Sequence, residues 1–219
     1  MKGFFNLFSS LFSKSKSPEK VYKIPTPDFE YTDSDIIESF ALVRNIKILD
    51  VIPDKVLYDM VSTILKNPYT RAPILQRTIE AYYPEMKKND LKYILSTVTL
   101  TAKSLYDIKR DRSQNNVLSN WYIWNASACK THKHLNNTIN SWGTPISPEI
   151  AKDRGVYSGI HPSQSYHCLC LAQPIFSYRL QITKLQSPLK IHLNNSLQKI
   201  SKKDFKEMLK AENNHFLDI

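Results

Sequence analysis

Two short segments of this chain hold all three of its cysteines and four of its six histidines. They are 129–134, Cys-Lys-Thr-His-Lys-His, and 161–170, His-Pro-Ser-Gln-Ser-Tyr-His-Cys-Leu-Cys. Two residues separate Cys129 from His132, so this pair can present soft donor atoms from a single turn. One residue separates Cys168 from Cys170, which is tighter than the usual spacing of a zinc-finger pair. The two segments are therefore interpreted as two halves of one tetrahedral zinc site.

The preferred ligand set has one donor atom from each of four residues. These are Cys129, His132, Cys168 and Cys170, with His134, His161 and His167 as alternative ligands. A structural zinc ion would contribute on the order of 10 kcal/mol to fixing a segment that is otherwise rich in loops. A second interpretation needs no metal, because buried cysteines also act as small hydrophobes and histidines also hydrogen-bond to loop carbonyls. The sequence leaves both interpretations open.

An enzymatic site is the weaker hypothesis for the same residues. A cysteine near several histidines suggests a thiol nucleophile, but no particular histidine is marked as its base. A metal-dependent nuclease is the sharper alternative, because a metal-bound water beside a basic surface suits phosphodiester cleavage. However, only two acidic residues, Glu149 and Asp153, lie between the segments. The chain also has no Gly-rich phosphate loop, serine elbow or H-E-x-x-H pattern, so we predict no catalytic residues.

Composition and charge are typical of a globular protein with a basic C-terminal part. The 219 residues allow one sizeable domain with arms, and 42% apolar residues are enough for a packed core. Residues 1–90 carry 13 Lys and Arg against 12 Asp and Glu, whereas 91–219 carry 17 against 8. The second part therefore favours a polyanion such as nucleic acid, although an acidic protein or anionic lipid fits the same charge. The odd cysteine count argues against a disulfide framework and for a reducing compartment.

An aromatic stripe lies within residues 1–12. Its members are Phe4, Phe5, Phe8, Leu11 and Phe12. Their spacing is that of one face of a short amphipathic helix, which predicts docking to a partner protein or to a membrane surface. The apolar run is interrupted by polar residues and lacks a small-residue cleavage site, so we do not interpret it as a signal peptide. Residues 14–33 contain three prolines with Ser and Lys and are predicted to be a tether.

Amphipathic patterns predict four helices between the tether and residue 112. They begin near residue 35, at residue 53, at residue 73 and at residue 91. Thr32 with Asp35 is a capping-box-like start for the first helix, and Pro53 suits the first position of the second. The fourth pattern, 91–112, is the longest and predicts a central helix that packing must hold, because it is rich in β-branched residues.

A small β-structure is predicted after these helices. The run Trp121-Tyr122-Ile123-Trp124 suits a short strand, whereas 136–159 is predicted to be mostly irregular. Apolar residues alternate in 176–182 and again in 189–193, which predicts a hairpin across Ser187-Pro188. Ser201 with Asp204 then opens a last basic helix.

Together the elements predict an α+β fold. It has a helical N-terminal half, a long central helix, a Cys/His-rich loop region with a small antiparallel hairpin, and a C-terminal helix. The predicted boundaries are 1–33 for the arm and tether, 34–90 for a helical subdomain, 91–174 for the Cys/His domain, and 175–219 for a basic hairpin-helix extension.

A basic cluster near the end of the central helix is the predicted nucleic-acid contact. Its residues are Lys103, Lys109, Arg110 and Arg112. Cations near a helix C-terminus also interact favourably with the helix dipole, so a purely structural role is an equal alternative.

The Cys/His segments belong to a longer ordered pattern. After the long helix its members are Trp124, His132, Asn137, Gly159, His161, Pro162 and the closing Cys168-Leu-Cys170. This pattern resembles the phage Mu F-like minor head proteins, which are also described as phage head morphogenesis proteins. The resemblance covers about 91–174, somewhat under half of the chain.

Three departures from that family are visible. Asn137 stands where the family usually has glycine, a tolerable exchange because Asn also adopts the left-handed region. The closing Cys-Leu-Cys replaces the family's Cys-Arg-Cys, and the segment between Trp124 and His132 is short and lacks an acid. Either His132 or His134 is the counterpart of the family's histidine.

The resemblance implies a minor capsid protein that is present in few copies and acts in head assembly. Its implied partners are the portal or capsid protein and packaged DNA, with no small-molecule substrate. Its implied location is the capsid interior or portal vertex of the virion, after assembly in the host cytoplasm. A basic C-terminal part and an aromatic arm on a tether fit this expectation.

Overall fold

The computed structural model describes residues 31–66, 72–113 and 120–212, and four helices begin this range. They are α1 (Asp33–Arg44), α2 (Asp54–Lys66), α3 (Ala72–Tyr82) and α4 (Lys88–Ser113). The predicted capping box of α1 is confirmed, because the Asp35 carboxylate accepts the Thr32 N–H at 2.8 Å and the Thr32 hydroxyl accepts the Asp35 N–H. The other helices lie where the sequence predicts them, and α4 begins three residues earlier. No helix in the described ranges has the length and apolar character that crossing a membrane requires.

The apolar stripes of these helices form one core. The buried stripe of α2 is Val56, Leu57, Met60, Val61, Ile64 and Leu65. α4 packs against α1, α2 and α3, and its Ala102 carbonyl accepts a buried hydrogen bond from Ser39 of α1 at 3.2 Å. Packing on three sides explains how a helix with many β-branched residues remains helical.

Five strands form one mixed sheet in the order β3-β1-β2-β4-β5. They are β1 (Trp121–Asn125), β2 (Thr138–Ser141), β3 (Leu171–Pro174), β4 (Leu189–Leu193) and β5 (Ser196–Ile200). β1 pairs antiparallel with both β2 and β3, β2 pairs parallel with β4, and β4 pairs antiparallel with β5. The predicted strand at Trp121 is therefore confirmed as the antiparallel partner of two neighbours.

The structure contains a hairpin, but the strands predicted for it are wrong in part. Tyr178–Ile182 forms a single π-helical turn, and the Ser177 hydroxyl caps it by accepting the Leu180 N–H at 3.3 Å. The real hairpin joins β4 to β5 through Asn194 and Asn195, whose φ angles are 49° and 55°. Two successive left-handed residues are what a two-residue hairpin turn requires. A short apolar alternation does not distinguish one helical turn from a strand, which explains the error.

The region 136–159 is mostly irregular, as predicted, but it contains two short elements. It contains β2 and a short helix, α5 (Pro148–Ala151), for which the Ser147 hydroxyl is the N-cap. Four-residue elements carry too little periodicity to be predicted from a sequence that is rich in Asn, Ser and Pro.

The two faces of the sheet are buried by different partners. Tyr122 and Trp124 face the helical core, whereas Trp121 and Ile123 face a second core with the last helix, α6 (Lys202–Glu212). The sheet is therefore a middle layer between the α1–α4 helices and α6. The predicted cap of α6 is confirmed, since the Ser201 hydroxyl accepts the Asp204 N–H at 3.0 Å.

β4 carries a histidine, His192, that is almost completely buried. His192 is 1% exposed, and neither ring nitrogen has a hydrogen-bond partner in the described part of the chain. Burial lowers the pKa of His192, because an imidazolium without a partner is poorly solvated there. The folded protein therefore holds this ring neutral at pH values where the unfolded chain takes up a proton.

We expect His192→Leu to weaken the acid sensitivity of the fold. In the wild type, stability is fully present above about pH 6.5 and falls as the pH drops below it, because only the unfolded chain protonates this ring. Without the buried polar ring, the variant should be as stable as the wild type or up to ~1 kcal/mol more stable at neutral pH. Urea unfolding of both proteins between about pH 5 and about pH 8 measures this. An unchanged pH profile in the variant would contradict it.

Candidate metal centre

The sheet brings the two Cys/His segments to the same end of one strand pair. Leu171 at the start of β3 pairs with Asn125 at the end of β1. Cys170 immediately precedes that start, and the Cys129 loop immediately follows that end. The antiparallel pairing of β1 with β3 therefore joins two segments that are about forty residues apart in sequence.

Local hydrogen bonds shape each segment. The Cys129 N–H donates to the Ala126 carbonyl at 3.0 Å, and the Ala126 N–H donates to the Asn136 side chain at 2.8 Å, which closes the first loop on itself. The His132 carbonyl accepts the Leu135 N–H at 2.8 Å in a 3-10 turn. In the second segment the Cys168 N–H donates to a carbonyl one turn earlier, at 3.1 Å.

Four donor atoms converge on one point between these segments. The His132 Nδ1 atom lies 3.6 Å from Cys129 Sγ, 3.5 Å from Cys168 Sγ and 3.6 Å from Cys170 Sγ. All four donor atoms lie within 4.8 Å of one another. Three sulfurs and one nitrogen at these separations can bind a single metal ion. The preferred ligand set from the sequence is the set that the structure brings together.

The centre is closed to solvent. Cys129 is 6% exposed, Cys168 is 2% exposed, and His132 and Cys170 are fully buried. Four protein donors around one point fill a tetrahedral coordination sphere, whereas catalytic zinc-type sites keep a position for water or substrate. The arrangement is that of a structural metal site.

Asp153 fixes the orientation of the histidine ring. The His132 Nε2 atom lies 3.2 Å from Asp153 Oδ2, and Asp153 Oδ1 accepts the Gly155 N–H at 2.8 Å. With the proton on Nε2, the Nδ1 lone pair is directed at the three sulfurs. α5 places the carboxylate, because the Asp153 N–H donates to the Pro148 carbonyl at 2.9 Å.

The electrostatics of this pair favour an ionised carboxylate. Burial opposes ionisation of Asp153, but hydrogen bonds from His132, Ser165 and the Gly155 N–H lower its pKa to about 2. A carboxylate beside the imidazole increases the basicity of the ligating nitrogen.

Cys129 and His132 also bind protons strongly. A hydrogen bond with Cys168 and burial raise the pKa of Cys129 to about 12. Burial lowers the pKa of His132, but hydrogen bonds with Asp153 and Cys168 outweigh that effect and raise it to about 10. A metal ion at this point replaces protons, because the ligating forms are thiolate and neutral imidazole.

The three alternative histidines make other contacts. His134 Nε2 lies 2.8 Å from the Ile150 carbonyl oxygen, and His161 Nδ1 lies 3.0 Å from the Tyr122 hydroxyl. His167 is exposed and its ring centre lies 4.2 Å from that of Tyr93. None of the three belongs to the four-donor group.

The other residues of the ordered pattern have separate structural roles. The Trp124 ring meets the His132 ring edge to face at 5.9 Å. Asn137 has a φ of 63°, so it adopts the left-handed conformation in which glycine is also common. A Cβ atom at Gly159 would lie 3.0 Å from the Pro145 Cβ atom and 3.3 Å from the Ile146 carbonyl oxygen, so a larger residue would require these neighbours to shift.

No family model, curated protein or solved structure matches this chain. The arrangement around the centre is therefore interpreted from its own geometry.

The basic cluster on α4 has a structural role at Lys109. Its ammonium group pairs with Asp35 and, at 3.2 Å, with Glu38, which joins α4 to α1. Burial opposes ionisation of Asp35, but this pair and the bonds from Thr32 lower its pKa. Lys103 lies half-buried on the same helix, and the side chains of residues 110 and 112 lie outside the described residues. The aromatic stripe of residues 4–12 lies outside them too.

Sequence reasoning missed the role of Asp153. It was noted only as one of two acidic residues between the segments, in a region that was predicted to be irregular. The sequence Asp-Arg-Gly contained a signal, because an Asp two residues before a Gly often accepts that backbone N–H in a turn. A buried acid in a basic region also requires a cationic or hydrogen-bonding partner.

Proposed function

We propose that this chain is a minor capsid protein of a phage-like virion that acts in head assembly together with the portal. A zinc ion in the Cys/His centre would hold the loops of its sheet. The convergence of Cys129, His132, Cys168 and Cys170, with the Trp124 ring against His132, supports the proposal, because these residues belong to the pattern that resembles the head morphogenesis proteins. Asn137 and Gly159 of the same pattern have a conformational and a packing role.

The donor distances support zinc as the metal. A zinc ion about 2.3 Å from sulfur and about 2.0 Å from nitrogen, with tetrahedral angles, separates each sulfur from the nitrogen by about 3.5 Å. The three observed separations are 3.6, 3.5 and 3.6 Å. Three thiolates with one imidazole also form a soft donor set, which favours zinc over magnesium or calcium.

The closed centre favours an assembly role over the nuclease alternative. A hydrolytic metal site needs an open position for the attacking water, and all four donors here come from buried side chains. The nearest carboxylate, Asp153, is already engaged by His132 and by the Gly155 N–H. A nuclease would need a second site among other residues. Incubation of the purified protein with plasmid DNA and added Zn²⁺, Mg²⁺ or Mn²⁺ tests this alternative, and cleavage would support it.

The assembly role predicts that the aromatic stripe mediates docking to the portal. We expect deletion of residues 1–12 to abolish co-purification with the portal protein of the same virus, because the stripe Phe4, Phe5, Phe8, Leu11 and Phe12 supplies the apolar contact. The zinc content and melting temperature of the truncated protein should match those of the full chain.

A matched control distinguishes the effect of losing the apolar side chains from the effect of shortening the chain. A full-length chain with Ser in place of the four phenylalanines should also fail to co-purify with the portal protein. A chain with Ser in place of Lys14 and Lys16 should still co-purify with it. Undiminished co-purification of the truncated protein would contradict the docking role. Binding of both deleted and full chains only to lipid vesicles would contradict it as well.

A further inference from the structure

The β4–β5 hairpin lies in a long stretch without acidic residues. From residue 154 to residue 203 the chain contains seven Lys and Arg but no Asp or Glu. Within this stretch Lys190 of β4 and Lys199 of β5 are direct cross-strand partners, and both are exposed. Like charges in directly opposite positions of neighbouring strands destabilise a sheet. The fold therefore keeps an unfavourable pair of charges on its surface.

No partner within the described residues offsets these two charges. Lys190 and Lys199 form no ion pair there, in contrast to Lys109 and Lys210, which pair with Glu or Asp side chains. Asp204 is the next acid along the chain, and it lies in the first turn of α6, where its carboxylate faces the Ser201 N–H at 3.4 Å. The charge of the hairpin is thus available to an external anion.

The lysine pair lies on the same side of the sheet as the metal centre. Leu189 and Ile191, the neighbours of Lys190 in β4, pack in the core with α6, so Lys190 faces the opposite side. That opposite side is the one on which Trp124 meets the His132 ring.

The loop that carries Cys129 and His132 is also basic. Lys130 and Lys133 are exposed in the segment that carries the first two metal ligands.

We propose that the exposed surface of the β4–β5 hairpin at the edge of the sheet, which carries Lys190 and Lys199, binds the phosphate backbone of double-stranded DNA without sequence preference. The inference deepens the proposed function, on which its biological setting rests, and it moves the DNA contact from α4 to the hairpin. The hairpin also lies beyond residues 91–174, the extent of the family resemblance. Lysine ammonium groups are suited to backbone contacts, because they act as mobile point charges rather than as base-reading forks.

Nucleic acid fits this surface better than a lipid membrane does. A membrane-binding element needs apolar side chains to insert beside its basic ones. The apolar residues of the adjacent basic helix α6, Phe205 and Leu209, are buried against the sheet. The hairpin turn is formed by the polar residues Asn194 and Asn195. Leu197 of β5 is the exposed large apolar side chain of the hairpin, at 38% exposure, so the surface offers charge and hydrogen-bonding groups with one apolar residue to insert.

The test is the salt dependence of DNA binding by the full chain. Fluorescence anisotropy with a short labelled duplex gives the slope of log K against log salt concentration. The double variant Lys190→Gln and Lys199→Gln should bind more weakly, with a slope shallower by about 1.8, because each lost phosphate contact removes about 0.9. Its melting temperature should not fall, since both side chains are exposed.

The matched control removes the same charge from the helical layer. Lys55 and Lys66 are exposed on α2, and changing both to Gln should leave the slope unchanged. Equal slopes for the wild type and the hairpin variant would overturn the proposal. An equal decrease of the slope in the hairpin variant and in the α2 control variant would overturn it too. Binding of the wild type to anionic phospholipid vesicles but not to the duplex would also overturn it. Portal co-purification of the hairpin variant should be unchanged, so failure of this inference is distinguishable from failure of the assembly role.

Discussion

Replacing Cys168 with serine should release the bound zinc and lower the free energy of unfolding by several kcal/mol. A structural zinc site contributes on the order of 10 kcal/mol at neutral pH, and loss of one thiolate forfeits much of this. Cys168 is 2% exposed, and its sulfur lies 3.5 Å from His132 Nδ1. The serine side chain is shorter and carries a hydroxyl group instead of a thiolate, so it does not replace the lost metal ligand. Elemental analysis of chelator-free protein and thermal unfolding measure the two effects.

The neighbouring residue supplies a control for this variant. His167 is exposed and has a φ of 54°, a conformation that asparagine also adopts. His167→Asn should therefore keep a full complement of zinc and an unchanged melting temperature. If Cys168→Ser retained the metal content and stability of the wild type, the cysteines would be small buried hydrophobes and nothing more.

Changing Asp153 to asparagine should weaken zinc binding by about 10- to 100-fold while the fold is retained. The amide oxygen can still accept the His132 Nε2 proton, but it lacks the negative charge that makes the ligating nitrogen more basic. Competition between the protein and a chromophoric chelator measures the zinc dissociation constant.

Glu149→Gln is the matched control for Asp153→Asn. It removes the same charge four residues earlier, from an exposed side chain that has no contact with His132 in the structure. The dissociation constant of this control should equal that of the wild type. Equal zinc affinities for Asp153→Asn and the wild type would mean that the carboxylate does not strengthen zinc binding by His132.

The helical layer was predictable because its signals are local and mutually consistent. The α1 capping box and the apolar stripe of α2 are each complete within one helix, so no tertiary information is needed to find them. The proximity of Cys129, His132, Cys168 and Cys170 was predictable because Cys and His are rare residues and their two short spacings suggest two halves of one site.

The sheet was less predictable because strand identity depends on distant partners. The residues 176–182 alternate in polarity, yet they form a π-helical turn, and β5 has only a weak apolar pattern. β5 exists because β4 presents a free edge and Asn194-Asn195 reverses the chain. Neither condition is visible in the residues 196–200 themselves.

Lys109 shows that a basic residue on α4 can have acidic partners that the local sequence does not reveal. Lys109 was one of four candidate DNA contacts, but in the fold its partners are Asp35 and Glu38 of α1. Those acids lie more than seventy residues earlier, so the pairing is a property of the tertiary structure. A basic side chain becomes a candidate contact only when the fold leaves its charge unpaired, as it does at Lys190 and Lys199.

The candidate metal centre joins three segments next to the sheet. It closes the loop that leaves β1 onto the segment that enters β3, and Asp153 links it to α5. In the proposed zinc-bound form, loss of the ion would therefore loosen three segments that otherwise have only short elements to hold them.

Zinc K-edge X-ray absorption of the full chain, purified without chelator, tests the central claim most directly. One zinc per chain is expected, with three sulfur neighbours at about 2.3 Å and one nitrogen neighbour at about 2.0 Å. A protein without metal, or a zinc shell composed only of oxygen and nitrogen, would contradict the closed Cys129, His132, Cys168 and Cys170 site.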